Sequence, residues 1–179
     1  NEEGMRVLAI AQKNDVPSEN IFSTKDESDM VLIGYMGFLD PPKDTSITAI
    51  KALHEHGVEV KILTGDNDIV TKKIAKDVGI PIDNVVLGAD IENISDDELY
   101  QLASKSSILA KLSPIQKERI ISVLQDNKHV VGFLGDGIND AQALKQADVG
   151  ISVDTAVDIA KESADIIMLE KDLNVLEEG

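Results

Sequence analysis

The sequence is short of several residue types, and each shortage excludes a class of protein. It contains no cysteine, which excludes disulfides, thiolate catalysis and cysteine-ligated zinc. It contains no tryptophan and only 3% aromatic residues, so its core must be aliphatic, as in parallel sheets. Positive charge is scarce, and the net charge of −16 argues against binding to nucleic acid or to anionic lipid.

Long apolar runs are also absent, and no stretch is long enough to span a bilayer as a helix. The three histidines form no pattern typical of a zinc site. Hydrophobic residues nevertheless make up 42% of the 179 residues, which is enough for the core of one medium α/β domain with a small appendage. These features predict that the chain itself is soluble.

The most informative stretch is the acidic turn at residues 135–140, Gly-Asp-Gly-Ile-Asn-Asp. The apolar run at 130–134 precedes it as a predicted buried strand, and a short helix follows. Ligands of open α/β sheets bind at such an edge, and Asp136 and Asp140 offer the oxygen ligands that Mg²⁺ prefers. The alternative is an acidic turn in which Asn139 or Asp140 only caps the helix.

Strand and helix patterns alternate from residue 44 onward. This rhythm predicts an α/β fold, a Rossmann-type parallel sheet of about six strands flanked by helices. Residues 83–104 carry six acidic side chains and no Lys or Arg, and we expect a solvated flap there. Asp154 is expected to cap a helix at 154–163.

Two further loops carry groups suited to phosphate chemistry. Thr64, Gly65 and Asp66 follow a predicted strand, where a hydroxyl and helix N-terminal N–H groups can hold phosphate oxygens. Lys117 lies one turn inside a clearly capped helix and could neutralise phosphoryl charge. Each signal alone is weak, since capping Thr or Asp residues and solvated lysines are common. Together with Asp136 they predict a magnesium and phosphate site at one edge of the sheet.

Three motifs resemble those of the haloacid dehalogenase superfamily: 64–66 (Thr-Gly-Asp), 111–117 (Lys-Leu-Ser-Pro-Ile-Gln-Lys) and 135–140. The Asp-Pro-Pro-Lys run at 40–43 and Asn67 after the first motif narrow this resemblance to the P-type ATPases. The stretches at 26–43 and 147–179 resemble the magnesium-importing branch in particular. The resemblance covers essentially the whole chain.

The resemblance implies that ATP phosphorylates an aspartate and that hydrolysis of this aspartyl phosphate drives cation transport, here Mg²⁺ import. By motif, Thr64 and Gly65 would hold the phosphoryl group, and Asn139 would bond its oxygens. Lys117 would neutralise the phosphoryl charge, and Asp140 would orient Lys117. Asp136 would ligate Mg²⁺, and Asp66 and Lys111 would lie near the nucleotide. The cofactors would be Mg²⁺ and, in the parent protein, ATP.

The resemblance also implies a division of the chain. Residues 1–39 would end a nucleotide-binding domain, and residues 40–179 would form the C-terminal part of a phosphorylation domain. Asp40, Pro41 and Pro42 would be the hinge between them. The partners would be the nucleotide-binding, actuator and transmembrane domains of the parent protein, and the segment would lie on the cytoplasmic side of the plasma membrane.

The sequence departs from the family pattern in ways that shape the prediction. The family's nucleophile motif, Asp-Lys-Thr-Gly-Thr, does not occur. We therefore expect a segment that lacks the nucleophile strand, is inactive alone and self-associates through the arm at 1–39. Gln142 stands where proline is usual. Lys111 stands where arginine is commoner, and a lysine cannot make a bidentate contact there.

Two other functions fit parts of the sequence. A soluble phosphatase of the haloacid dehalogenase type would use Asp66 and Asp68 as a paired-aspartate nucleophile motif. No second Thr or Ser motif lies suitably between Asp66 and Lys117, which argues against it. A non-catalytic acidic α/β module that binds a partner would explain the missing nucleophile, but not the phosphate-type groups at three loops.

Overall fold

The computed structural model describes residues 5–14, 23–38, 42, 44–170 and 172–178. The chain divides into two units, Asn1–Asp40 and Pro41–Gly179. Within the predicted hinge, Asp40 and Pro41 lie outside the described residues. In the part of the chain that is described, none of the helices combines the length and the apolar composition needed to cross a bilayer.

The first unit is built on a pair of antiparallel strands. Strand β1 (Arg6–Gln12) pairs with strand β2 (Val31–Phe38), and a 3₁₀ turn (Thr24–Asp26) lies between them in sequence. The ammonium of Lys13 donates to the backbone carbonyl of Asp26 at 2.8 Å, which ties the connecting segment to the end of β1. The unit therefore consists of a two-stranded ribbon with one anchored turn.

Large apolar side chains of this ribbon are exposed. Leu8 is 60% exposed, Ile33 63% and Tyr35 70%. Because successive side chains of a strand point to opposite faces, Leu32 and Ile33, both exposed, belong to opposite faces of β2. A two-stranded ribbon with both faces apolar has too little buried surface to be stable alone in water.

The second unit alternates strands and helices from α1 to α7. Its described strands are β3 (Ile62–Leu63), β4 (Val85–Leu87), β5 (Ile108–Ala110), β6 (Gly132–Leu134), β7 (Val149–Val153) and β8 (Ile166–Met168). Its helices are α1 (Asp44–Glu55), α2 (Asp68–Asp77), α3 (Asp96–Lys105), α4 (Pro114–Asp126), α5 (Ala141–Gln146), α6 (Asp158–Ser163) and α7 (Val175–Glu178). The α/β class with parallel sheets flanked by helices is as the sequence predicts.

The six strands form two parallel sheets of three strands instead of the predicted single sheet. Strand β5 lies between β3 and β4, and strand β7 lies between β6 and β8. In the described ranges, β3 and β6 each pair on one side only. Backbone N–H and C=O groups on their other side are therefore open to another strand.

Helix α4 and its neighbours join the two sheets through a shared aliphatic core. Ile120 packs in the cluster on the β3–β5–β4 side, and Ile121 packs in the cluster with Phe133 on the β6–β7–β8 side. Leu63 and Val131 pack against both clusters. Ile120 and Ile121 are 0% and 1% exposed, so α4 is anchored where its first turn reaches the loops that follow β5 and β6.

Two local predictions need correction. The acidic segment at 83–104 is not only a solvated flap, because it supplies strand β4 and the fully buried Ile91 and Leu99. Three of its six acidic residues, 96–98, occupy the first turn of α3, where Ser95 accepts a hydrogen bond from the backbone N–H of Glu98. Helix α6 begins at Asp158, after an N-cap at Val157, so Asp154 does not cap it.

Candidate functional site

The loop after β3 is held in shape by its own hydrogen bonds. The backbone N–H of Thr64 donates to the carbonyl of Leu109 on β5 at 3.0 Å. The Oγ1 atom of Thr64 accepts from the N–H of Asp66 at 3.0 Å, and Oδ1 of Asn67 accepts from the N–H of Ile69 at 2.8 Å. A hydroxyl that accepts in this way keeps its own proton to donate to a ligand oxygen.

The loop after β5 lies directly beside it. Lys111 donates its backbone N–H to the carbonyl of Asp66 at 3.0 Å, and Leu112 donates to the carbonyl of Thr64 at 3.0 Å. A Cβ atom at Gly65 would lie 3.3 Å from the carbonyl oxygen of Leu112, tighter than ordinary van der Waals contact. The structure thus brings Thr64, Gly65, Asp66 and Lys111 together.

The backbone of Lys111 has an unusual conformation, with φ at +55°. A left-handed conformation is unfavourable for a residue with a Cβ atom, so its surroundings must hold it. The carbonyl oxygen of Lys111 sits against Gly88, where a Cβ atom would lie only 2.4 Å from it. Gln116 donates to the carbonyl of Gly88 at 2.8 Å and accepts from the N–H of Ser113 at 2.9 Å, which closes a network around Lys111.

Lys117 is buried in the first turns of α4, with only 7% of its surface exposed. Its Nζ atom lies 2.6 Å from Oδ1 of Asp140. Lysine is almost never this buried unless it is paired. The contact joins the helix after β5 to the turn after β6.

The turn after β6 places Asp140 for this contact. Oδ2 of Asp140 accepts a hydrogen bond from the N–H of Gly137 at 3.2 Å, and Oδ1 accepts from Lys117, so both carboxylate oxygens have a partner. Asp140 stands at the N-cap position of α5, but its side chain makes no capping bond. A Cβ atom at Gly135 would lie 2.6 Å from Cβ of Asp140, so only glycine fits there. These contacts oppose the alternative in which Asp140 is only a helix cap.

A fully buried serine on β7 fixes the base of the same turn. Ser152 is 0% exposed, and its hydroxyl donates to the carbonyl of Gly135 at 2.9 Å. The next carbonyl, that of Asp136, accepts from the N–H of Val157 at 3.2 Å. Both hydrogen bonds restrict the backbone from which the Asp136 side chain extends.

Asp136 and Asn139 are exposed side chains of this turn. Within the described ranges, Asp136 forms no ion pair, and no group of three His, Cys, Asp or Glu side chains could hold a metal alone. Mg²⁺ usually binds through one or two carboxylates together with waters and substrate phosphates. Asp136 fits that requirement, whereas both oxygens of Asp140 already have partners.

Two features of the site were not predicted from the sequence: the ion pairs of Asp68, which was named there only in the phosphatase alternative, and the buried Ser152. Asp68, at the start of α2, lies 3.2 Å from the Nζ atoms of both Lys72 and Lys111. Hydrogen bonds from Lys111 and then from Lys72 lower the pKa of the Asp68 carboxyl group. The i,i+4 spacing of Asp68 and Lys72 was visible in the sequence, but that pattern is common on helix surfaces. A serine inside the apolar strand β7 was the available signal for Ser152.

Comparison with known proteins shows the family to which the chain belongs. The sequence model of the haloacid dehalogenase-like hydrolases, described as a hydrolase family, matches residues 8–148. The chain is 55% identical over all of its 179 residues to a magnesium-transporting P-type ATPase 1 of Escherichia coli K12. It is 33% identical, over 95% of its length, to calcium-transporting ATPase 1 of Lactococcus lactis. The chain spans about a fifth (20%) of the length of each of these two relatives.

A solved structure is similar as well. It is the catalytic domain of the CPx-ATPase CopB-B, solved in a study of its conformational changes upon nucleotide binding. The TM-score is 0.60 at 28% sequence identity, and the match covers 84% of this chain and 49% of that one.

Proposed function

The chain belongs to the haloacid dehalogenase-like hydrolase family, and we propose that it is the phosphorylation-domain segment of a cation-transporting P-type ATPase, one that imports Mg²⁺. The buried contact between Lys117 and Asp140 carries this proposal. This contact fixes the positively charged ammonium group of Lys117 at the edge of the parallel sheets, where a transferring phosphoryl group needs its negative charge neutralised. The similarity of the whole chain to magnesium-transporting ATPases supports Mg²⁺ as the transported cation.

Each site residue has a role in this proposal. Thr64 donates its hydroxyl proton, and Gly65 its backbone N–H, to oxygens of the phosphoryl group. Lys117 uses one N–H on Asp140 and keeps two for the phosphoryl group. Asn139 donates its amide to the remaining oxygen. Roles near the nucleotide fall to Asp66 and Lys111.

Asp136 is the residue that would hold Mg²⁺, whereas Asp140, the second ligand predicted from the sequence, has both oxygens bonded to Lys117 and Gly137. When bound, Mg²⁺ would offset the negative charge of the phosphoryl oxygens. The hydrogen bonds to the carbonyls of Gly135 and Asp136 limit the backbone movement of the turn, so that the carboxylate is ready for the ion. Preorganisation of this kind reduces the cost of binding.

The parent protein supplies the remaining parts. We assign residues 1–39 to the end of its nucleotide-binding domain and residues 40–179 to its phosphorylation domain. The aspartate that attacks the γ-phosphorus, with ADP as the leaving group, belongs to another part of that protein, as do the actuator and transmembrane domains. The segment then faces the cytoplasm, is inactive alone, and self-associates when separated from these partners.

The phosphatase alternative is less well supported by the contacts. It would use Asp66 as nucleophile and Asp68 as general acid. A general acid must be protonated at the working pH. The two lysines around Asp68 lower the pKa of its carboxyl group, which keeps it charged.

Labelling with [γ-³²P]ATP and Mg²⁺ tests the proposal. We expect no label on this chain alone, and acid-stable, hydroxylamine-sensitive label on the full-length protein that contains it. Replacing Lys117 with Met in the full-length protein should lower the label, whereas Lys145→Met, which removes an exposed lysine of α5, should not. Hydroxylamine-sensitive label on this chain alone would identify an aspartate here as the nucleophile and favour the phosphatase.

A further inference from the structure

We propose that Asp68 is a positioning residue that fixes Lys111 for contact with a nucleotide. The inference rests on the proposed function, because it concerns how the candidate nucleotide residue Lys111 is presented. Asp68 does not need to touch the ligand itself. It acts through an ion pair whose Nζ–Oδ1 distance is 3.2 Å.

The backbone of Lys111 already fixes the direction in which its side chain leaves the loop. Two backbone hydrogen bonds maintain its left-handed conformation: the N–H of Lys111 donates to the carbonyl of Asp66, and the N–H of Leu112 donates to that of Thr64. The close approach of the Lys111 carbonyl to Gly88 adds a steric constraint. A strained backbone held by its neighbours is typical of functional loops. The backbone does not fix the position of the ammonium group at the end of the long, flexible Lys111 side chain.

Asp68 supplies that second constraint. Its side chain is 18% exposed, whereas that of Lys111 is 50% exposed, so a shielded carboxylate holds a half-exposed ammonium group. A lysine side chain loses much rotamer entropy when it binds a ligand from a free state. A lysine already held by Asp68 has lost part of that entropy before the ligand arrives, and its two other N–H groups stay available.

Lys72 offers an internal comparison. It pairs with the other oxygen of the same carboxylate at the same 3.2 Å, but its backbone belongs to helix α2 and not to the loop. The cluster of Asp68, Lys72 and Lys111 carries one net positive charge on a chain of net charge −16. Removing either lysine therefore changes the charge near the loop equally, and only the loss of Lys111 should remove the ligand contact.

The sign of the Asp68→Asn effect distinguishes two mechanisms. If Asp68 acted only through its negative charge, the neutral variant would bind an anionic nucleotide more tightly. If Asp68 positions Lys111, the neutral variant binds less tightly, because the lysine is no longer held. The first turn of α2 keeps its Asn67 cap in this variant, so the helix start is retained.

The experiment is a double-mutant cycle on this chain. The β,γ-methylene analogue of ATP is titrated with Mg²⁺ while the backbone amide signals of residues 64–66 are followed by NMR. Asp68→Asn and Lys111→Met should each weaken binding about three- to tenfold, and the double variant no further, because the two residues act as one unit. Lys72→Met should leave the affinity within about twofold of the wild type.

Side-chain order gives a readout that does not depend on the ligand. In Asp68→Asn, the ε-methylene group of Lys111 should become more mobile in NMR relaxation, while that of Lys117 should not change. Tighter nucleotide binding by Asp68→Asn, additive effects in the cycle, or equal losses in Lys72→Met and Lys111→Met would overturn the inference. Absence of saturable amide shifts in the wild-type chain would also overturn the inference, whereas the proposed function is tested separately by the phosphate labelling of the full-length protein.

Discussion

The ammonium group of Lys117 lies 2.6 Å from Oδ1 of Asp140, and both side chains are largely buried. The contact crosses from the helix after β5 to the turn after β6, so it joins the two parallel sheets of the second unit. Neither residue could be buried alone without a large cost, because each carries a charge. The candidate site is therefore built around a pair that also holds the fold together.

Replacing Lys117 with Met should destabilise the chain by about 3 kcal/mol, because it leaves the carboxylate of Asp140 buried without its cation. The double variant Lys117→Met/Asp140→Asn should lose less than the sum of the two single losses, since the residues are in contact. Urea unfolding followed by circular dichroism measures both values. Lys145→Met is the control and should change the unfolding free energy by less than about 0.5 kcal/mol. A similar loss in both lysine variants would contradict the buried pair.

Replacing Gly135 with Ala should cost about 1 to 3 kcal/mol, because the added Cβ would lie 2.6 Å from Cβ of Asp140 and force the turn to move. Gly132→Ala, in the preceding strand β6, is the matched control, since the nearest atom to its added Cβ would be 3.9 Å away. That control should change the unfolding free energy by less than about 1 kcal/mol. If the two alanine variants unfold at the same denaturant concentration, the turn does not require a glycine at position 135 for the close approach to Asp140.

The free energy of unfolding should fall in acid, because carboxylates that stabilise the fold become protonated. Hydrogen bonds from the backbone N–H of Val131 and from the Gln125 side chain lower the pKa of Asp148, and those from Ser95 lower the pKa of Glu98. A carboxyl group whose pKa is lower in the folded chain stabilises the fold above its unfolded pKa. That contribution is lost as the pH falls below about 4 and through the folded value.

The measurement is the free energy of unfolding between pH 7 and acid pH. We expect a plateau at neutral pH, a decline that begins below about pH 4.5, and a shallower decline in Asp148→Asn, because that side chain no longer titrates. An unfolding free energy that rises in acid would contradict this assignment.

The exposed apolar ribbon should cause self-association. Ile33 and Tyr35 are more than half exposed, and each strand of the ribbon has one unpaired edge among the described strands. Ile33→Lys and Tyr35→Lys should each shift the sedimentation profile toward the monomer over a concentration series. Ile115→Lys, at a 69% exposed position of α4, should not shift it. A strictly monomeric wild-type chain would refute the prediction.

Much of this architecture could be predicted because local chemistry determines it. Ser95 and Ser113 begin α3 and α4 through the capping boxes that their sequences indicate. Gly57 and Gly79 end helices with positive φ values, as a glycine after a helix predicts. The order of strand, turn and helix at the acidic turn was also predicted, but the strand is shorter than the apolar run at 130–134, because β6 covers only Gly132–Leu134 and Val130 is 85% exposed.

The remaining features depend on long-range contacts that a single sequence does not reveal. Strand β4 has only three residues and precedes an acidic stretch, so its pairing with β5 left no periodic signal. The left-handed backbone of Lys111 is not a property of lysine, and it follows from the approach to Gly88. The role of Asp68 depends on a partner 43 residues later in the chain, at Lys111.

Titration with Mg²⁺, followed by the backbone amide signals of residues 135–140, tests the proposed site most directly. We expect weak, saturable shifts that are selective for Mg²⁺, because Asp136 is the main protein ligand and Mg²⁺ requires further oxygen ligands from phosphate and water. Asp136→Asn should abolish these shifts, and Asp158→Asn, which removes a 92% exposed carboxylate of α6, should preserve them. Shifts that persist unchanged in Asp136→Asn, or no saturable shifts in the wild-type chain, would contradict a magnesium and phosphoryl site in this turn.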